Sequence, residues 1–343
     1  MSTRTNGKHA GMILVSAILA LPGIIAAQQA KPSASQERLL EPIAKSSYPD
    51  AFVVYQTVPR WSSGHLIRWT EGSASDTTEN VFVFDRKGKL VGKARIWPPD
   101  ASSVHIVNAV AGLDGRIAAV GWAVDASGTF AYFLADVSPT TGHIRVVHTT
   151  PFHGRDVAFG SDGTLWLVGY QVVPGDKSSA APDHDIVQHY GADGTLKDSH
   201  VLRSSLQCER FPMGFAVAEP AILASRDRIG VFLRACNKWI ELDPAGELVG
   251  QWIWPKMESV RRMSNVAFTP SGEVYTTVSS SAGIWLGHLD KKTSTWAIVN
   301  ADLPLAKANG AKSVWLMGSD GDKLVYHVGE SDLLWSKSSS SPE

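Results

Sequence analysis

The chain has 343 residues, a formal net charge of −1, and 44% hydrophobic against 19% charged residues. That is a globular composition, long enough for one large domain or two ordinary ones. The near-zero charge supplies no field for nucleic acid or an anionic membrane, so neither is expected as a partner.

The first element is a leader. Arg4 and Lys8 precede an apolar run from Ala10 to Ala27, and the polar QQAKPSASQE follows. A charged start, a short apolar stretch and small residues at its end describe a secretory signal peptide over residues 1–27. The competing reading is a membrane anchor, but Pro22-Gly23 interrupts a run already short for a ~20-residue span. No later segment is apolar enough to cross a membrane, so the mature chain is expected to be secreted or periplasmic. In such an oxidising compartment Cys208 and Cys236, the two cysteines of the chain, are expected to form a disulfide.

Residues 28–48 read as a linker with room for a closing strand, 49–336 as a repeat domain and 337–343 as a flexible tail. Within the repeat domain two hairpin patterns alternate. The first is an apolar strand, a Gly-containing turn and a second apolar strand: VAGLDGRIAAVG from Val110, VAFGSDGTLWLVG from Val157, VAFTPSGEVYTTV from Val266 and LMGSDGDKLVYHVG from Leu316. ILASRDRIGVFL from Ile222 is a weaker copy without the turn glycine. Asp-Gly and Ser-Gly between β-branched and aromatic residues favour tight hairpins, because glycine admits positive φ. The second pattern is an apolar strand ending in Asp, a turn and another strand. VFVFDRKGKLVGKARIW from Val81 and WIELDPAGELVGQWIW from Trp239 show it best. The segments from Ala131, Ile186 and Ile284 vary its turn.

Asp85, Asp136, Asp243 and Asp290 hold corresponding places, with Tyr190 between the middle pair. The spacing of about 50 residues is that of a four-stranded β-propeller blade. The count predicts an all-β propeller of six blades. Seven blades is the competing count, and a β-sandwich or a two-domain all-β protein the competing fold. The last unit has three strands of its own, so its fourth is expected from the chain start, within residues 38–57.

HGRDVAFGSDGTLWLVG and RMSNVAFTPSGEVYTTV resemble the NHL-type unit: a small or polar residue, an apolar-Ala-apolar triplet, a glycine turn and an aromatic strand. The resemblance implies a six-bladed propeller. It does not imply one function, since such propellers include scaffolds, receptors and enzymes.

In a propeller the residues entering each first strand converge on one mouth of the central channel. Counting back seven residues from Gly115, Gly163 and Gly272 gives Asn108, Asp156 and Asn265, one polar residue from each of three blades. They would either hydrogen-bond neighbouring backbone or ring a ligand or cation. The same segments carry Arg60, His105, His153, Arg155, Arg210, Arg261, Arg262 and Lys312, a set that would suit a carboxylate, phosphate or sulfated ligand. The long connection 171–185 contains Asp183-His184-Asp185, read as a solvated cluster.

No GxSxG, HExxH, P-loop or dinucleotide fingerprint is present. Calcium-dependent lactonases on six-bladed propellers carry Asn-Gly before the apolar triplet. Here the corresponding pairs are Arg155-Asp156 and Ser264-Asn265. The expectation is therefore a monomeric binding module for a small molecule, glycan or protein, without a cofactor. A metal-dependent hydrolase or lyase holding calcium is the alternative, and a cell-envelope scaffold the second alternative.

Overall fold

The computed structural model describes residues 40–48, 51, 59–73, 75, 77–173, 176–180, 183–208, 220–253, 260–280, 283–299 and 314–338. The expected leader lies outside them, as do residues 339–343 of the expected tail, whereas Lys337 and Ser338 belong to the last strand.

Strand β1 (Leu40–Ser47) comes first in the chain and belongs to the last blade. The first blade consists of β2 (Arg60–Ser62), β3 (His65–Trp69), β5 (Val81–Phe84) and β6 (Leu90–Ala94), while the short β4 (Gly72–Ser73) pairs with the second blade. The second blade is β7 (Ala101–Ala111), β8 (Ile117–Asp125), β9 (Phe130–Val137) and β10 (Ile144–His148). The third is β11 (Phe152–Phe159), β12 (Leu165–Val173), β14 (Asp185–Tyr190) and β15 (Leu196–Leu202), with β13 (Asp176–Ala180) attached to β12. The fourth is β16 (Ala221–Ala224), β17 (Ile229–Leu233), β18 (Lys238–Leu242) and β19 (Leu248–Ile253). The fifth is β20 (Val260–Phe268), β21 (Val274–Ser280), β22 (Gly283–Asp290) and β23 (Thr295–Val299). The sixth is β24 (Val314–Asp320), β25 (Lys323–Val328) and β26 (Asp332–Ser338), completed by β1.

The two hairpin patterns thus form strands one–two and three–four of each blade. The innermost strands β2, β7, β11, β16, β20 and β24 each touch the next, and β24 touches β2, which closes a ring of six.

Side chains alternate across a strand, so a sheet covered on both faces sends one set to each neighbouring blade. On β8, Ile117 and Ala119 pack with Ile67 and Val83 of the first blade, whereas Ala118 and Val120 pack with Val157 and Leu167 of the third. Trp166 and Val168 continue the core into Ile222 and Val231 of the fourth blade. Trp61 and Phe84 meet Val325 and Trp335 where the sixth blade joins the first.

Closure follows the expected route. β1 pairs antiparallel with β26, from Leu40 opposite Ser338 to Ser47 opposite Asp332. Buried Tyr48 donates its N–H to Ser331 O at 2.7 Å, and Lys45 pairs with Asp332 at 2.8 Å. Without β1, β26 would present an unpaired edge.

At the end of the ring that holds the strand one–two turns, charged residues stitch blades together. Arg86 of the first blade binds Asp320 of the sixth, which also accepts from Trp335 Nε1 at 3.0 Å. Arg116 holds Asp136 at 3.2 Å and donates to Gly163 O of the third blade at 2.8 Å. Asp136 therefore differs from its counterparts. Asp85 and Asp243 accept N–H bonds within their own turns, whereas Asp136 lies inside β9 and serves Arg116.

Cys208 and Cys236 are bonded, with Cα atoms 5.6 Å apart. The bridge joins the chain after the 3-10 turn Arg203–Leu206 to the 3-10 turn Arg234–Cys236 between β17 and β18. Among the described residues no helix is long and apolar enough to cross a membrane.

Candidate functional site

The seven-residue offset picks out a structural feature. Inner strands β7, β11 and β20 each carry a bulge, between Ile106 and Asn108, Gly154 and Asp156, and Ser264 and Val266. A bulge sets two residues against one and re-aims a side chain. Asn108 Oδ1 accepts from Ala109 N–H at 3.0 Å, and Asp156 Oδ1 from Val157 N–H at 2.7 Å.

Beyond those local bonds Asp156 and Asn265 serve neighbouring blades differently. Asp156 Oδ2 accepts from Ile222 N–H on β16 at 2.9 Å. The Asn265 amide donates to Leu316 O on β24 at 2.7 Å. Arg60 of the first blade binds Asp156 of the third and donates to Ile222 O of the fourth at 3.0 Å. First and fourth blades stand opposite in a ring of six, so this side chain reaches across the axis. Burial pushes the Asp156 carboxyl upward, while Arg60 and the two N–H donors oppose that shift.

A second group gathers where the second and third blades meet, near the entry end of β7 and β11. It is built on one register used twice. His105 on β7 stands opposite Trp122 on β8, and His153 on β11 stands opposite Tyr170 on β12. Each aromatic follows a glycine that an added Cβ would not fit. At Gly121 it would lie 2.1 Å from His105 O, and at Gly169 2.1 Å from His153 O. Both glycines let the histidine's strand approach closely.

The rings then meet across the blade boundary. His153 stacks on Tyr132 of β9 at 4.2 Å and lies 5.1 Å from Tyr170. His105 stacks on Trp122 at 4.8 Å, and Phe130 lies 5.2 Å from Trp122. Tyr132 is pinned by the connection into the third blade, donating its N–H to Thr150 Oγ1 at 2.9 Å and accepting from Thr149 N–H at 2.9 Å.

Exposure grades across the group. His153 is 1% exposed and Arg155 7%, whereas Phe130 is 36% exposed and His105 and Trp122 are half-buried. Arg155 Nη1 approaches His153 Nε2 at 3.3 Å, and its guanidinium also donates to the Tyr170 hydroxyl. His153 Nδ1 is buried with no hydrogen-bond partner among the described residues. Burial, with Arg155 and His105 adding to it, lowers the His153 pKa to about 3, so the ring is neutral. Burial also lowers Arg155 and raises Tyr132 and Tyr170. His105 Nδ1 meets Glu71 at 2.7 Å on the solvent side. Chemically the group offers a neutral imidazole, a buried guanidinium and partly exposed aromatic faces.

Of the residues singled out from sequence, His105, His153 and Arg155 come together here. Asn108, Asp156 and Asn265 lie along the inner strands. Arg262 is on β20, opposite Ser279, and Arg210 and Lys312 fall outside the described residues. Trp122, Tyr132 and Tyr170 were not read from sequence. The signal for two of them was there: Val120-Gly121-Trp122 and Val168-Gly169-Tyr170 repeat valine-glycine-aromatic at one register. Nothing local marks Tyr132. In the long connection, Asp183 accepts from the Ser204 N–H and hydroxyl at 3.1 and 3.0 Å.

No family model matches the chain, and no curated protein matches it. Among solved structures it is similar to a protein of Bacteroides fragilis NCTC 9343 described as exported, with a TM-score of 0.57 and 12% identity over 89% of this chain and 97% of that one. It is also similar to virginiamycin B lyase from Staphylococcus aureus, with a TM-score of 0.46 and 11% identity over 86% and 98%. At these identities the likeness speaks to fold alone, and at its lower score the second carries no argument. Six antiparallel sheets in a closed ring make this chain a six-bladed β-propeller.

Proposed function

We propose that the protein is an exported, monomeric binding propeller whose site is the His105–Trp122–Tyr132–His153–Arg155–Tyr170 group. The ligand class that fits is a small molecule or sugar residue bearing a carboxylate or sulfate. The observation that carries this reading is buried Arg155 beside neutral His153, whose Nδ1 lacks a partner among the described residues, next to the partly exposed His105–Trp122 stack. An unmatched buried ring nitrogen is costly in a mere packing layer, and an acidic ligand approaching beside the Arg155 charge would answer it. The aromatic faces would hold its apolar or sugar side.

Export is supported by the signal-peptide pattern and by the disulfide, which suits an oxidising compartment. The NHL-type likeness of the copies at Val157 and Val266 supports kinship with that group of propellers. The metal-dependent alternative finds less support. A cation at Asp156 would sit beside the guanidinium of Arg60, which already holds that carboxylate.

The test is calorimetric titration of the mature chain with glucuronate, a sulfated disaccharide and their neutral analogues. Saturable binding of an acidic member that Trp122→Ala weakens at least tenfold and Arg155→Met abolishes is expected. Absence of binding across the panel, or binding that both variants retain, overturns the reading.

A further inference from the structure

Apart from that group, the outer hairpin of the third blade brings together three metal-ligand side chains. The sequence HYGADGTLKDSH from His189 reads only as a hairpin with an Asp-Gly turn. Pairing gives it more. His189 on β14 stands opposite Asp198 on β15, and Val187 stands opposite His200. Side chains directly opposite or two apart share a face. His189, Asp198 and His200 therefore project on the same side, and their ligand atoms all lie within 4.8 Å of one another.

The surroundings hold the imidazoles in place by packing. Trp166, itself buried, stacks on His189 at 3.9 Å and on His200 at 5.5 Å. On the other side the turn of the fourth blade passes so close that a Cβ at Gly246 would lie 2.0–2.4 Å from the His200 ring. A glycine at positive φ (+90°) leaves the space that ring occupies. His189 is 8% exposed, yet its Nε2 and that of His200 are both buried with no hydrogen-bond partner among the described residues. Packing on Trp166 accounts for the ring faces. It does not account for two orphaned nitrogens beside a carboxylate, since buried polar atoms are normally matched.

We infer that His189, Asp198 and His200 form a zinc site. Two imidazoles and one carboxylate suit a borderline cation and would be too few oxygens for calcium. Zinc–nitrogen bonds of about 2.0 Å place tetrahedral ligands roughly 3.3 Å apart, within small rotamer adjustments of the observed spacing. Three protein donors leave a fourth position for water or an outside ligand, beside exposed Asp198. The ion would clip β14 to β15 at the outer rim of the third blade.

The experiment uses the mature, tag-free chain, stripped with chelator and titrated with zinc chloride by calorimetry, with cobalt(II) absorption as a second readout. One equivalent of zinc is expected, together with a tetrahedral cobalt spectrum and a rise in thermal midpoint. Asp198→Asn, at an exposed position, should weaken zinc at least tenfold while the circular dichroism spectrum is kept. His189→Ala/His200→Ala should abolish binding, and His143→Ala, at an exposed turn, should leave it unchanged. Absence of stoichiometric zinc, or zinc retained by both ligand variants, overturns the site. Neither result bears on the acidic-ligand reading, which involves other residues: in the third blade it uses β11 and β12, whereas the zinc ligands lie on β14 and β15.

Discussion

His153 of the third blade lies flat on Tyr132 of the second, ring centroids 4.2 Å apart, with both side chains buried. The stack joins two blades through an ionisable group held neutral. In the unfolded chain that imidazole titrates near ~6.5, whereas in the fold its pKa is lowered to about 3. Between those values the native state binds fewer protons than the unfolded state. Stability is therefore complete above the unfolded pKa and is lost as pH falls through the window, by up to about 1.4 kcal/mol per pH unit. Urea midpoints of the wild type and of His153→Phe should converge between pH 7 and pH 4, with the variant showing the shallower slope. Parallel slopes would contradict the assignment.

The Arg60–Asp156 pair answers a different question, whether the ring depends on a link across its axis. Removing one partner of a buried ion pair typically costs about 3–5 kcal/mol, because the other charge stays buried alone. Arg60→Met should fall in that range in chemical denaturation. Adding Asp156→Asn should recover part of the loss. Additive losses in the double-mutant cycle would show that the two side chains act independently.

Gly169 tests the packing behind the aromatic group. An alanine there meets His153 O at 2.1 Å and must push β11 away from β12. Gly169→Ala should destabilise by about 1–3 kcal/mol, as overpacking does, and should weaken any ligand held at His153 and Arg155. Gly92→Ala is the comparison, since its nearest contacts, at 3.5 Å and beyond, are ordinary. A smaller thermal shift is expected there. Equal shifts would mean that the close approach at Gly169 is unimportant.

The disulfide closes a loop of sequence separation 28. On chain-entropy grounds it contributes about 3–4 kcal/mol. Cys208→Ser/Cys236→Ser should lower the denaturation midpoint accordingly, and reductant should do the same to the wild type while leaving the double variant unmoved. A wild type insensitive to reductant would argue against the bridge.

The repeats made the fold legible because the blades use the same two hairpins, and glycine turns punctuate most of them, the copy from Ile222 excepted. Closure was legible from the deficit of one strand at the end. The site was only partly so. His105 and His153 share a register that counting finds, but their partners depend on which faces turn toward which blade. Tyr132 joins the group only through packing of one blade on the next. The seven-residue count found Asn108, Asp156 and Asn265 because a bulge recurs in the inner strands. The partners of Asp156 and Asn265 come from neighbouring blades, which no local pattern encodes. His189 and His200 were missed for the same reason: strand register brings them together, and their spacing along the chain matches no metal motif.

The pairing of β1 with β26 sets how the ring meets mechanical load. Leu40 and Ser338, the outermost residues of the two strands, face each other at one corner of the sixth blade. Whatever is joined to either end leaves the rim at that corner, so two tethers there would pull on the same point. Traction between them would open the antiparallel ladder one rung at a time and would not shear all its hydrogen bonds together. The ring would yield first at its seam, with the other five blades intact.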